Sequence, residues 1–179
     1  MGTVDLLLHP TRLRIVHALS DGRTLTTSQL CARMPDVSKA TMYRCVSLLA
    51  DGGILEAESE QRVDGAVERR FRLNRGRAVI DADAAASMSL EQHRRGFTAA
   101  MATLIAEFNA YLDRGHSDPT ADAVSYRQFT LWLSEDERAE MIDEVRSVIV
   151  SRSGNGPALG RTRHLLSTIL FPAEEPPRP

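Results

Sequence analysis

The sequence has no apolar run near the ~20 residues that a bilayer-spanning helix requires. Met1 to Leu8 carry Asp5 and no basic flank, so no secretory signal is expected. Two cysteines, Cys31 and Cys45, make no convincing disulfide framework, which fits a cytoplasmic protein. Aromatic residues are only 5% of the chain, so the 42% hydrophobic content implies a core of aliphatic side chains and alanine. No glycine-rich phosphate loop, no Gly-x-Ser-x-Gly and no Ser/His/Asp set beyond chance is found, so no catalytic residue and no enzyme is expected. His9, His17, His93, His116 and His164 show neither i, i+4 pairing nor a Cys-x-x-Cys companion, so neither a metal nor a cofactor is expected. Asp81, Asp83 and Glu91 read as a solvated helix face.

Lysine is almost missing too: Lys39 stands alone among 22 basic residues. The net charge of −2 points to no nucleic acid by itself, but its distribution is uneven. Residues 1–78 hold twelve Lys/Arg against nine Asp/Glu, net +3, and residues 79–179 hold ten against fifteen, net −5. This asymmetry permits DNA binding by the first part without demanding it.

The patterning divides the chain. Leu6, Leu7, Leu13, Val16 and Leu19, with Ile15 beside them, make an apolar face at helical spacing that ends at Asp21-Gly22. Pro10 marks the start of the regular helix, leaving Met1 to His9 as a separate turn or arm. Thr26 or Thr27 caps a second helix that carries Leu30, Cys31 and Met34 inward, and Pro35-Asp36 stops it. Ser38 caps a third, running to Asp51, with Met42, Cys45, Val46 and Leu49 on one stripe and Gly52-Gly53 as its left-handed end. Two strands, Ile54–Glu58 and Val67–Leu73, flank an Asp64-Gly65 turn. Three helices followed by a hairpin, within ~75 residues, are the layout of a winged helix-turn-helix.

Beyond it, Val79 to Asp113 reads as one long helix. Phe97, Met101, Leu104, Phe108 and Tyr111 recur on it at a/d spacing, either packing on their own domain or forming a two-fold dimer seam. His116 to Asp122 reads as a linker. Val124–Leu133 and Thr162–Phe171 read as strands around a helix opened by the capping box Ser134-Glu135-Asp136-Glu137. Pro172–Pro179 reads as a disordered tail. The expected fold is therefore mainly α with small β elements: a winged helix-turn-helix over 1–76, then a long dimerisation helix and a small α+β region over 77–171.

With the apolar stripe of the third helix turned inward, its other face is determined. That face presents Lys39, Ala40, Tyr43, Arg44 and Ser47, with Ser38 and Thr41 near its start. Arginine can read guanine O6 and N7 bidentately, while hydroxyls and the helix N-terminus hold phosphates. Thr26 and Thr27 are expected against the DNA backbone on the same side. Arg62, Arg69, Arg70 and Arg72 gather around the Asp64-Gly65 turn, and a basic hairpin tip suits a minor groove or backbone, with Arg62 and Arg69 the chosen contacts.

Three separated pieces resemble the ArsR-type winged-helix regulators. His9-Pro10-Thr11-Arg12-Leu13-Arg14-Ile15-Val16 is similar to their opening helix. Val37-Ser38-Lys39-Ala40-Thr41-Met42-Tyr43-Arg44, with Leu48-Leu49 and Gly53-Ile54-Leu55, resembles their recognition helix and its exit. Val63 to Leu73 is similar to the wing of their branch with a C-terminal extension. The resemblance covers residues ~5–75 and implies a homodimer, usually a repressor, on a palindromic operator in double-stranded DNA. One departure is clear: metal-sensing members pair cysteines or group histidines, whereas Cys31 and Cys45 both fall on inward positions, where packing is the better reading. Tyr126, Phe129 and Trp132 concentrate aromatics on one C-terminal strand, either as ordinary core or as the wall of a small-molecule effector pocket. The rival reading from another class is a winged helix that docks a partner protein without sequence-specific DNA binding.

Overall fold

The computed structural model describes residues 2–63 and 66–174, and the side chains of residues 61–67 are not among those described. About half the chain is helical, with one small three-stranded sheet. The first compact unit spans Met1–Ser117 and the second Asp118–Pro179.

In the first unit α1 (Thr3–Leu7) is the short arm expected before Pro10, and α2 (Pro10–Leu19) starts on that proline. Proline suits the position because its missing N–H has no intrahelical partner there. β1 (Leu25–Thr26) leads into α3 (Thr27–Arg33), and α4 (Lys39–Asp51) follows the turn. β2 (Leu55–Val63) and β3 (Ala66–Leu73) form an antiparallel hairpin, with a register shift between Ala57 and Ser59. β1 pairs the other edge of β3, Leu25 opposite Phe71, giving the order β1-β3-β2. This is a winged helix-turn-helix. The Asp64-Gly65 turn lies outside the described residues.

One core holds these elements together. Ile15, Leu19, Leu30, Met42, Leu49 and Ile54 are wholly inaccessible, and Leu6, Leu7, Val16, Leu25, Met34, Cys45, Val46, Leu55 and Phe71 complete the cluster. Burying a side chain of this size stabilises the fold by ~1.5–3 kcal/mol. Gly53, at φ +69°, supplies the left-handed residue that ends α4. Leu13, expected on the apolar face of α2, is only half-buried, and Ile15 takes the central place.

The helix expected from Val79 to Asp113 is broken. α5 (Ala82–Ala86) is a single turn, and α6 (Leu90–Leu112) restarts on a capping box in which Ser89 accepts from the Gln92 N–H and Gln92 accepts from the Ser89 N–H. α6 packs along α2 and so belongs to the first compact unit, which reaches Ser117. Thr103 is the anchor. Its hydroxyl is buried and donates to Ala99 O at 2.8 Å and towards Pro10 O at 3.3 Å.

In the second unit α7 (Glu135–Ser153) begins on the expected box: Ser134 accepts from the Glu137 N–H at 3.2 Å, and Glu137 accepts from the Ser134 N–H at 2.8 Å. The Ser134 bonds hold the Glu137 carboxyl below its usual range. The two strands expected on either side are not formed: residues 124–133 and 162–171 have no ladder partner among the described residues. A run of strand-forming side chains gives a strand only where another backbone is in reach, and among the described residues none is paired to either stretch. Residues 175–179 of the expected tail lie outside the described residues. Among the described residues no helix is long and apolar enough to cross a membrane.

Candidate nucleic-acid interface

The two faces of α4 are sharply different. Met42, Cys45, Val46 and Leu49 are at most 3% exposed, while Lys39, Ala40, Tyr43, Arg44 and Ser47 are all exposed. A phenol left 55% accessible on a helix otherwise anchored by its apolar face is available to a partner. Ser38 caps the helix: its Oγ accepts from the Thr41 N–H at 3.3 Å and donates to Thr41 Oγ1 at 2.9 Å. The remaining first-turn N–H groups and the positive end of the helix dipole therefore lie beside Lys39, a setting that favours phosphate oxygens. Ser47 lies 3.5 Å from Asp51 Oδ2, so an acidic group borders the far end of the face.

Thr26 and Thr27 are placed differently from the expectation. They are 4% and 8% exposed, and the Thr26 side chain is occupied at the start of α3, where it accepts from the Gln29 N–H while Gln29 accepts from the Thr26 N–H. A hydroxyl that closes a capping box inside the core is not offered to a duplex. On the wing Arg69 is exposed and donates to Glu60 across the hairpin at 2.6 Å, and Arg72 donates to Glu56 at 2.7 Å. Arg70 turns the other way, towards Thr24. The Arg62 side chain lies outside those described. The exposed pairs are worth little to stability, and a phosphate can compete for either guanidinium.

Two further arginines, not singled out as contacts, organise the site from behind. Arg12 and Arg14 on α2 are only 7% and 5% exposed. Arg12 donates to Asp5 O at 3.0 Å, tying α1 to α2, and burial pushes its pKa down. Arg14 meets Asp36, in the turn between α3 and α4, with both terminal nitrogens, at 2.5 and 3.0 Å. Its Nε stands 3.6 Å from Glu107 Oε1 of α6, a looser ion pair. The hydrogen bonds to Asp36 raise the Arg14 pKa and hold the Asp36 carboxyl below its usual range. One buried guanidinium thus fixes the turn that aims α4 and faces the long helix as well. The sequence carried a faint signal in the charge at Arg14, which falls beside Ile15 on the core side of α2. His9 is shifted down, by burial first and then by Arg12 and Arg44.

Neither cysteine is arranged for chemistry. Cys45 is buried, and burial pushes its thiol up; Cys31 is half-buried and unbridged. Among the described residues no three of His, Cys, Asp and Glu come together as metal ligands.

α6 is also two-sided. Ala99 and Thr103 are buried on the side that packs along α2. On the other side Leu90, Phe97, Ile105 and Leu112 are 77, 49, 61 and 42% exposed, with Met101, Leu104, Phe108 and Tyr111 half-buried among them. The Phe108 and Tyr111 rings lie 5.9 Å apart, and the Arg114 guanidinium sits 5.8 Å from the centre of the Tyr111 ring. The expected seam residues are thus together, and Ile105 and Leu112 join them. Tyr126, Phe129 and Trp132 are 80, 76 and 82% exposed, so they do not wall an enclosed cavity within their unit.

A family model described as a helix-turn-helix domain matches residues 7–58. The chain is similar to that family over α2, α3, α4 and the start of the wing. The similarity supports DNA binding in transcription regulation, a role that is typically not enzymatic. It stops before β3 and α6, and so speaks for a helix-turn-helix regulator without choosing the ArsR type. No curated protein matches the chain.

Proposed function

We propose that this chain is a transcriptional repressor that binds a palindromic operator in double-stranded DNA as a homodimer. The single observation that carries the reading is the division of α4 into a wholly buried apolar face and an exposed face bearing Lys39, Tyr43, Arg44 and Ser47. Lys39, Thr41, Tyr43 and Arg44 enter the major groove, and the wing, through Arg62 and Arg69, reaches the flanking minor groove or backbone. The exposed stripe of α6 supports the homodimer, because a second copy of the same stripe would cover Phe97, Ile105 and Leu112 isologously. The ArsR-like pattern of residues 9–16, 37–55 and 63–73 supports the same assembly. A small-molecule effector, where one acts, is revealed by ligand-dependent thermal stabilisation.

The test is fluorescence anisotropy of the full chain with duplex DNA flanking its own gene, against scrambled duplex, at two salt concentrations. Salt-sensitive binding that survives scrambled competitor is the expected result. Arg44→Ala is expected to cost ~1–3 kcal/mol on the operator and to relax preference at one base step. An equal loss on every sequence would leave Arg44 as a phosphate contact only. Absence of binding even at low salt would favour the protein-docking reading.

A further inference from the structure

The second unit carries many apolar side chains yet buries none of those described. No described residue from 118 to 174 is buried, and only Val124 and Met141 are even half-covered. Met141, Ile142, Val145, Val148 and Ile149 recur on α7 at i, i+1, i+4, i+7 and i+8, a short central apolar stripe with Arg138 and Arg152 on the same side at its two ends. Before α7, Tyr126, Phe129, Leu131, Trp132 and Leu133 are exposed; after it, Leu165, Leu166, Ile169, Leu170 and Phe171 are as well. Neither flanking stretch joins a β ladder among the described residues.

We propose that residues 124–171 are completed by the same segment of a second copy, whose two extended runs pair with these as strands beneath the two α7 helices. The inference rests on the homodimer proposed above and deepens it. In one copy neither run is paired and α7 covers neither, whereas a stable sheet takes three or more strands or a covering helix. Two copies supply four strands and two helices, a sufficient two-layer unit. The area is also right. Tyr126, Phe129, Trp132 and Phe171 are 80, 76, 82 and 67% exposed. Together they offer roughly 500–800 Å² per copy before any residue of α7 is counted. A standard interface takes about 800 Å² per partner.

Trp132 is the only tryptophan, so it reports on this surface in the unmodified full-length chain. Its emission and its quenching by iodide are measured across a dilution series, with sedimentation velocity on the same samples. The expected result is a dimer with blue-shifted, shielded Trp132. In Phe129→Asp and Ile169→Asp association weakens about tenfold or more and Trp132 becomes accessible, because each would bury an unpaired carboxylate. Phe129 is 76% exposed in the single chain, so its replacement leaves that chain folded, and an unchanged circular dichroism spectrum checks this. A dimer whose Trp132 is quenched like free indole overturns this pairing but spares a dimer formed through α6. Trp132 shielded in a monomer overturns it by showing that the chain covers its own segment, and association unchanged in both variants overturns it by placing the dimer contact elsewhere. An exposed Trp132 in a chain that stays monomeric overturns this and the homodimer together, while the anisotropy titration judges DNA binding separately.

Discussion

Removing the carboxylate of Asp36 should harm this protein more than removing the arginine it serves. Arg14 is 6% exposed at the side chain and Asp36 57%. In Asp36→Ala the guanidinium stays buried, loses both short bonds and keeps only Glu107 at 3.6 Å. Stranding a buried charge entirely costs ~3–5 kcal/mol. Because water reaches the Asp36 side and Glu107 remains, about 2 kcal/mol is expected. In Arg14→Met the buried charge is removed with its bonds, the aliphatic stem still fills its space, and Asp36 is left free to hydrate. That change should cost at most about 1 kcal/mol. The double variant should resemble Arg14→Met alone, since the two sites share one interaction.

Thermal unfolding at neutral pH reads this directly. For a chain of this length 1 kcal/mol corresponds to ~2–4 °C, so Asp36→Ala should lower Tm by ~4–8 °C and Arg14→Met by under ~4 °C. The pH dependence supplies a second check. A carboxyl held below its usual range in the folded state binds fewer protons there than in the unfolded chain. Its contribution is therefore fully present above the ordinary carboxylate pKa and is lost as pH falls through the lower folded value. The difference between wild type and Asp36→Ala should shrink on acidification below ~4. An Arg14→Met protein less stable than Asp36→Ala would refute the reasoning.

Ser38→Ala removes the cap of α4 and should cost ~1 kcal/mol in urea unfolding, with weaker operator binding, since the first turn carries Lys39 and Thr41. Gly53→Ala places a side chain at φ +69°, and a Cβ there would lie 2.5 Å from the Arg77 guanidinium. That guanidinium end can swing away, so the left-handed backbone sets the expected loss of ~1–2 kcal/mol, read as a lower Tm. Ile105→Asp alters a residue 61% exposed in the single chain. It should leave the circular dichroism spectrum unchanged while sedimentation shifts to monomer and operator affinity falls.

How much of this was legible in the sequence follows from range. α4 could be read residue by residue because a cap at Ser38, a stripe from Met42 to Leu49 and a glycine at the left-handed end are all local signals. α7 was legible through Ser134 and Glu137 for the same reason. The break between α5 and α6 was written in Ser89 and Gln92, but the alanine-rich run around it obscured the box. β1 is two residues long, and nothing local marks it. It exists because Leu25 lies opposite Phe71, 46 positions later.

The candidate site divides the same way. Lys39, Tyr43, Arg44 and Ser47 could be found by subtraction, because one helix face excludes the other. Thr26 and Thr27 could not, since a hydroxyl that caps a helix and one that meets a phosphate look alike in sequence; only their burial distinguishes them. Arg14 was hidden by a stronger prior, that arginine belongs on the surface. Its partners are 22 positions ahead in Asp36, brought by the turn between α3 and α4, and 93 ahead in Glu107, which approaches only once α6 packs along α2. The strand expected over Val124–Leu133 failed for the complementary reason. Its aromatic and aliphatic side chains call for cover, and Trp132 stays 82% exposed. The residues most informative about assembly are therefore those whose pattern is strong and whose burial is missing, which on this chain means the outer stripe of α6 and the whole of 124–171.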